Sequence, residues 1–169
     1  SRRLLGMICV ESEGDPTQPN GSGDGGAGLI HMQPMLASAY GLRMITNSKK
    51  LRDFAQGRKL KRAIEMFNGD LKDLVTVDER FHPIKNVDAA ARMVCDHYQK
   101  SHNWNKALER YAGRGEYPKN VGGYVKRMAD SAYMRKLTGE FNERNARFQI
   151  NGKPLTFDNY VKTFHELNR

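Results

Sequence analysis

The strongest constraint on this chain lies between residues 14 and 34. Gly14-Asp15-Pro16 stops any helix arriving from the N-terminal side, because proline disfavours helical angles in the residue before it. Pro19, Asn20-Gly21, Gly23, Gly25, Gly26 and Gly28 then break both helix and strand. Asp15 to Gly28 is therefore a long loop, and loops of that length in compact domains are usually functional or disordered. It runs into Ala27-Gly28-Leu29-Ile30-His31-Met32-Gln33-Pro34, an apolar turn whose two polar side chains, His31 and Gln33, are free to face a cleft.

Arg2 to Ser12, upstream, has helical spacing. Leu4, Ile8 and Glu11 fall at i, i+4 and i+7, so on a helix they share one face. A carboxyl group on an apolar face loses hydration in its charged form, which raises its pKa towards the range of a general acid. The plainer alternative ends the stripe at Val10 and leaves Glu11 in solvent. Periodicity does not choose between them.

The rest of the chain reads as mostly helical. Pro34 to Tyr40 suits a helix opening with proline and closing at Gly41. Ser48 to Phe67 is a second helix, with Arg58, Lys59, Lys61 and Arg62 on a basic face whose plain reading is a solvated surface. Leu71 to Ile84 is less regular. Asn86 is a good N-cap for a helix from Val87 to about Lys100, with Ala90, Met93, Val94 and His97 inward. Asn103 caps a short helix carrying Trp104, Leu108 and Tyr111, which ends at Ala112-Gly113-Arg114-Gly115. A loop through Pro118 and Gly122-Gly123 leads to a helix from Tyr124 to about Leu137. Arg147 to Phe157 reads as a β-hairpin about Asn151-Gly152, followed by a short helix from Asp158 to Leu167.

A chain of 169 residues is long enough for one domain with a proper core. Its 28 Lys and Arg against 19 Asp and Glu give a net charge of +9, which favours a polyanionic partner: nucleic acid, an acidic membrane or an anionic cell-wall polymer. No apolar run approaches a transmembrane length. Helical pattern begins almost at Ser1, so the chain is expected to start inside a longer precursor, and a missing signal segment says little. Cys9 and Cys95 both lie in apolar contexts and read as buried free thiols, with a disulfide open if the protein is exported.

The five histidines form no metal-binding spacing, and no metal or cofactor is expected. Gly21 to Gly28 lacks the Gly-Lys-Ser/Thr of a phosphate loop. Ser12 and Cys9 have no partner for nucleophilic work. Nucleic-acid binding rests on charge alone and is not expected. Glycoside cleavage fits better, because it needs one acid and usually a second carboxylate. Glu11 closes a helix, and Asp24 lies in a loop able to fold back over it.

Several pieces in order along the chain carry a family resemblance. Leu5-Gly6-Met7-Ile8-Cys9-Val10-Glu11-Ser12 and Gly26-Ala27-Gly28-Leu29-Ile30-His31, with Pro34 and Tyr40-Gly41 beyond, are followed by Asp78-Glu79-Arg80-Phe81-His82-Pro83. Ala107-Leu108-Glu109-Arg110-Tyr111-Ala112-Gly113 and Tyr124-Val125-Lys126-Arg127-Met128 complete the series. Over roughly residues 3 to 130 this resembles the superfamily of soluble lytic transglycosylases and goose-type lysozymes. The resemblance implies a mainly α, lysozyme-like core over residues 1–139. The hairpin and short helix of 140–169 would be an extension packed on the same domain.

It also implies roles. Glu11 takes the catalytic acid's place and Ser12 the serine that supports the sugar site. His31 occupies the family's glutamine position, or Gln33 does after a two-residue shift. Tyr111 matches the tyrosine that lines the site, while the motif's asparagine is missing. Asn20-Gly21-Ser22-Gly23-Asp24 resembles a goose-type lysozyme loop, which makes Asp24 a candidate for positioning water. The implied activity is a muramidase that cuts peptidoglycan glycan strands between N-acetylmuramic acid and N-acetylglucosamine, working as a monomer in the periplasm or outside the cell. Hydrolysis and anhydro-forming transglycosylation both remain open, with the Asp24 loop favouring hydrolysis. The alternative is a non-catalytic wall-binding or scaffold module of the same fold.

Overall fold

The computed structural model describes residues 2–44, 53–150 and 152–167. Helix α1 (Arg2–Glu11) lies in the interior and buries Gly6, Met7, Ile8 and Cys9. It packs on α7 (Tyr117–Arg127) at a distance only glycine permits: a Cβ on Gly6 would come 3.1 Å from the Val121 carbonyl and 3.2 Å from its side chain. Helices α5 (Pro83–Ser101) and α6 (Trp104–Ala112) form the neighbouring pair, and α6 runs against α7. The fold is mainly helical, as the pattern predicted.

The loop after α1 is ordered by the apolar turn at its end. Ala27 and Met32 exchange backbone hydrogen bonds of 3.3 and 3.1 Å, folding residues 28–31 into a tight turn. Leu29, Ile30 and Met32 are almost wholly buried in the core. At roughly 1.5–3 kcal/mol for each buried side chain, these anchors offset part of the entropy of ordering a glycine-rich segment. Helix α2 (Pro34–Ala39) begins at once, with proline in its first turn.

Several boundaries differ from the sequence expectation. The start expected at Ser48 lies outside the described residues, and α3 is described over Asp53–Met66. The region read as less regular contains α4 (Leu71–Val77) and a 3-10 turn, Glu79–Phe81. Asp70 and Asp78 cap these by accepting from the N–H groups of Lys72 and Arg80, at 2.9 and 3.0 Å. Helix α5 starts at Pro83, not Val87, because His82 Nδ1 accepts from Ile84 and Lys85. Asn86 is thus not a cap but a buried residue of the first turn. Pro118 lies in the first turn of α7, where its missing N–H costs nothing. The expected helix from Tyr124 to Leu137 is two helices, since Asp130 accepts from Tyr133 N–H at 2.8 Å and starts α8 (Ser131–Asn145).

At the C-terminal end, β1 (Gln149–Ile150) pairs with β2 (Lys153–Pro154), Gln149 opposite Pro154 and Ile150 opposite Lys153. Helix α9 (Phe157–Leu167) comes next. Phe148, Leu155 and Tyr160 join the same buried cluster as α1, and Phe141 meets Phe157 edge-on at 5.8 Å. Asn145 donates to the Gly14 carbonyl at 2.8 Å, tying α8 to the end of α1. The boundary expected between residues 139 and 140 falls inside α8. Both cysteines are free. Cys9 is buried, and burial pushes its thiol up to about 11, whereas Cys95 is exposed on α5, contrary to the expectation of two buried thiols. Cys95 follows Val94 directly and so lies about 100° round the helix from the buried stripe.

Candidate active site

Glu11 is the last residue of α1, and its side chain is 9% exposed. Burial raises its pKa, and the Tyr117 hydroxyl and Arg114 oppose the rise while Asp24 adds to it. The C-terminal end of α1 carries partial negative charge, which also disfavours the carboxylate. Ionisation is held back most by loss of water, so Glu11 retains a proton where a solvated glutamate has lost it.

The next residue, Ser12, is fully buried and points away from solvent. Its hydroxyl donates to the Leu29 carbonyl at 2.7 Å and accepts from Gly14 N–H at 3.3 Å. It therefore joins the end of α1 to the apolar turn and presents nothing to a sugar.

That turn is pinned from beneath by two side chains that sequence reasoning did not assign to the site. Asn86 accepts from Ile30 N–H at 2.8 Å and donates to the Ala27 and Ile30 carbonyls at 3.2 and 3.1 Å. Gly28 sits directly above it with φ +90°, and a Cβ there would lie 2.2 Å from Asn86 Nδ2 and 2.3 Å from the Arg80 carbonyl. Arg80, without solvent contact, donates to the carbonyls of Gly25 at 2.6 Å and Met32 at 3.0 Å. The Asp78-Glu79-Arg80 and Asn86 pattern is visible in the sequence, but its use in holding a turn some 50 residues earlier is not.

So supported, the turn brings His31 beside Glu11, with Nδ1 3.6 Å from Glu11 Oε2. The other ring nitrogen lies 2.9 Å from the Gln18 carbonyl. Burial lowers the His31 pKa, partly countered by that carbonyl and by Asp24. Tyr111 donates to the His31 carbonyl at 3.2 Å, so it reaches the site through backbone, and burial raises its pKa well above the usual value. Tyr117 lies 6.1 Å from Tyr111, ring to ring, against the Glu11 carboxyl. Its hydroxyl is buried and completes no well-formed hydrogen bond. Arg114 stacks 5.4 Å over the Tyr117 ring. Tyr117 and Arg114 were not anticipated, because this stretch read as a loop. Proline following a tyrosine could have marked a helix start.

Asp24 is close enough to act electrostatically on both Glu11 and His31. Its oxygens accept from Asn20 Nδ2 at 3.0 and 3.1 Å, from Gly26 N–H at 2.9 Å and from Gln33 Nε2 at 3.0 Å. Burial pushes its pKa up, but hydrogen bonds from Gly26, Gln33, Ser22 and Asn20 outweigh this and hold it below the usual value. Of the six residues singled out in sequence, Glu11, Asp24, His31, Gln33 and Tyr111 gather around one site. Ser12 stands behind it.

The arrangement pairs a carboxyl that resists ionisation with one that resists protonation. A family model for the transglycosylase SLT domain matches residues 1–134. The chain belongs to the transglycosylase SLT domain family. At family level its chemistry is lytic transglycosylase-type cleavage of peptidoglycan. Comparison with curated proteins and with solved structures returned no match. The match ends within α8, so β1, β2 and α9 lie beyond what this SLT domain shares with the family model. No described helix is long and apolar enough to cross a membrane. Among the described residues no cluster of three or more His, Cys, Asp or Glu is arranged to hold a metal ion.

Proposed function

We propose that the chain is an active lytic transglycosylase that cuts the β-1,4 bond between N-acetylmuramic acid and N-acetylglucosamine, with Glu11 as its proton donor. The observation that carries this reading is the burial of Glu11 beside His31 and Tyr117, with its proton affinity raised. Glu11 gives its proton to the glycosidic oxygen as the bond to the muramic acid C1 breaks. The carboxylate left behind takes the proton of the C6 hydroxyl as that oxygen attacks C1. The product is a 1,6-anhydro sugar, and Glu11 is protonated again.

The state of Asp24 supports this outcome over hydrolysis. A carboxylate offers about four lone-pair positions, and here three donors, Asn20 Nδ2, Gly26 N–H and Gln33 Nε2, make four contacts with its two oxygens. A carboxyl held so firmly ionised is a weak base. Asp24 serves as a fixed negative charge and a staple for its loop, and this weighs against the hydrolysis that the loop's resemblance favours. Hydrolysis keeps one point in its favour, the electrostatic reach of Asp24 to Glu11. A water bound there would compete with these donors.

Binding to glycan strands draws on the net charge of +9, and the enzyme acts where peptidoglycan is, outside the cytoplasm. Mass spectrometry of a digest of purified peptidoglycan tests the reaction. Anhydro-ended fragments are expected. Reducing ends alone would establish hydrolysis, and no fragments would favour a wall-binding module.

A further inference from the structure

His31 stands where the family resemblance places a glutamine when no shift is allowed, and its geometry points to a further role. A neutral imidazole carries one N–H. Its Nε2 lies 2.9 Å from the Gln18 carbonyl, which can only accept, so the hydrogen is on Nε2. Nδ1 is then a lone pair, and it faces Glu11 Oε2 at 3.6 Å. A lone pair facing a carboxylate is repulsive. A single proton between the two makes it attractive once the carboxyl turns to bring the pair within hydrogen-bonding distance.

We propose that His31 is a positioning residue that shares one proton with Glu11, its ring orientation and tautomer fixed by the Gln18 carbonyl. This rests on the reading of Glu11 as the acid and adds a device that keeps that acid loaded. The two side chains are 4% and 9% exposed, so water competes little for the proton. The Tyr111 hydroxyl holds the His31 backbone by its carbonyl, which fixes where the ring sits.

The other groups facing the pair are few. From the loop, Asp24 raises the proton affinity of both members. From the α6–α7 side, Arg114 and the Tyr117 hydroxyl favour the Glu11 anion. Burial favours the neutral arrangement, with the proton on Glu11 and Nδ1 accepting it. The two groups therefore titrate together, and the first proton is lost from the pair and not from an isolated carboxyl. After Glu11 has protonated the leaving oxygen, its carboxylate recovers a proton from the C6 hydroxyl, and Nδ1 then shares that proton. No co-reactant is needed.

The test uses the whole chain and two readouts. The first is the pH dependence of fragment release from purified peptidoglycan by the parent and His31→Gln, which keeps an amide able to bond the Gln18 carbonyl. Each profile is normalised to its own acid-side maximum, so that a uniform change in rate is set aside. At the pH where the parent has fallen to half its maximum on the alkaline side, the variant should have fallen roughly five- to tenfold further. An equal loss at every pH would overturn the proposal and leave His31 a structural residue. The second readout is 15N NMR of the imidazole in the parent and in Glu11→Gln. The parent should show the Nε2–H form at neutral pH, and Glu11→Gln should move the His31 titration to lower pH. An Nδ1–H form, or an unmoved titration, would overturn proton sharing even if Glu11 proved essential. If Glu11 proved dispensable while the titrations were coupled, the catalytic reading would fail and the shared proton would stand.

Discussion

Arg80 and Asp78 form a bidentate ion pair with no solvent contact, Nη2 to Oδ2 at 2.8 Å and Nε to Oδ1 at 3.0 Å. Two charges two residues apart are withdrawn from water here, and Nη1 donates to the carbonyls of Gly25 and Met32. The pair thus forms the floor of the loop that carries Asp24 and His31. Breaking such a pair strands a buried charge, at a cost of about 3–5 kcal/mol. Asp78→Asn should lower urea-unfolding stability by about that amount and disturb the loop. Arg80→Met should cost at least as much, since it also orphans two carbonyls. The double change should cost less than the sum of the single ones.

Glycine substitutions should separate a required position from a tolerant one. At Gly28 an added Cβ meets Asn86 and the Arg80 carbonyl well inside contact distance, at φ +90°. Gly28→Ala should destabilise by several kcal/mol or displace the turn, and activity should be lost with it. Gly122 lies exposed within α7, with nothing within 4 Å of the place a methyl group would occupy. Gly122→Ala should stabilise by about 0.5–1 kcal/mol, by favouring helix, and leave activity unchanged. Thermal unfolding of the two variants in parallel checks both.

The Glu11 carboxyl should make the protein less stable as it ionises. Its folded pKa is raised, so between the unfolded and folded values the native state holds more protons, and stability falls as pH rises through that window. Glu11→Gln removes the charge. It should raise Tm by a few degrees at neutral pH and lose that advantage below the ordinary glutamate range. A variant no more stable than the parent at neutral pH would mean that Glu11 is better solvated than its surroundings indicate.

Asp24→Asn should distinguish a staple from a base. Loss of the charge weakens the bonds from Gly26 and Gln33, so a fall in rate of about tenfold is expected, with anhydro ends still formed. Complete loss of activity with a parent that releases only reducing ends would assign Asp24 to water activation.

The net charge of +9 predicts that attachment to an anionic wall weakens with salt. The screening length falls from about 10 Å at 0.1 M to about 3 Å at 1 M. Pull-down with insoluble peptidoglycan should show several-fold weaker retention over that range. Retention unchanged by salt would rule out an electrostatic contribution to wall binding.

How much of this could be read in the residues depended on distance along the chain. Helical spacing put Glu11 in line with Leu4 and Ile8 but left open whether it faces solvent, which its burial decides, and the loop beyond followed from its prolines and glycines. Its supports were hidden, because Arg80 and Asn86 act on residues 48 to 59 positions earlier, and no local pattern records such a contact. Asn86 reads as a cap because asparagine favours caps, yet Pro83 behind His82 is the better start signal, and the folded core claims the amide for the turn. Tyr117 is obscured in the same way: Pro118 reads as a break where it opens a helix. Asp24 could be set in a loop able to reach Glu11, but its hydrogen bonds, which decide its chemistry, come from the loop's folded shape.

The role of Glu11 is tested most directly by the release of soluble fragments from purified peptidoglycan by the parent and by Glu11→Gln, with the variant's fold checked by thermal unfolding. A loss of at least about a hundredfold is expected, in a variant that is as stable as the parent or more so. Equal release by the two proteins would contradict it.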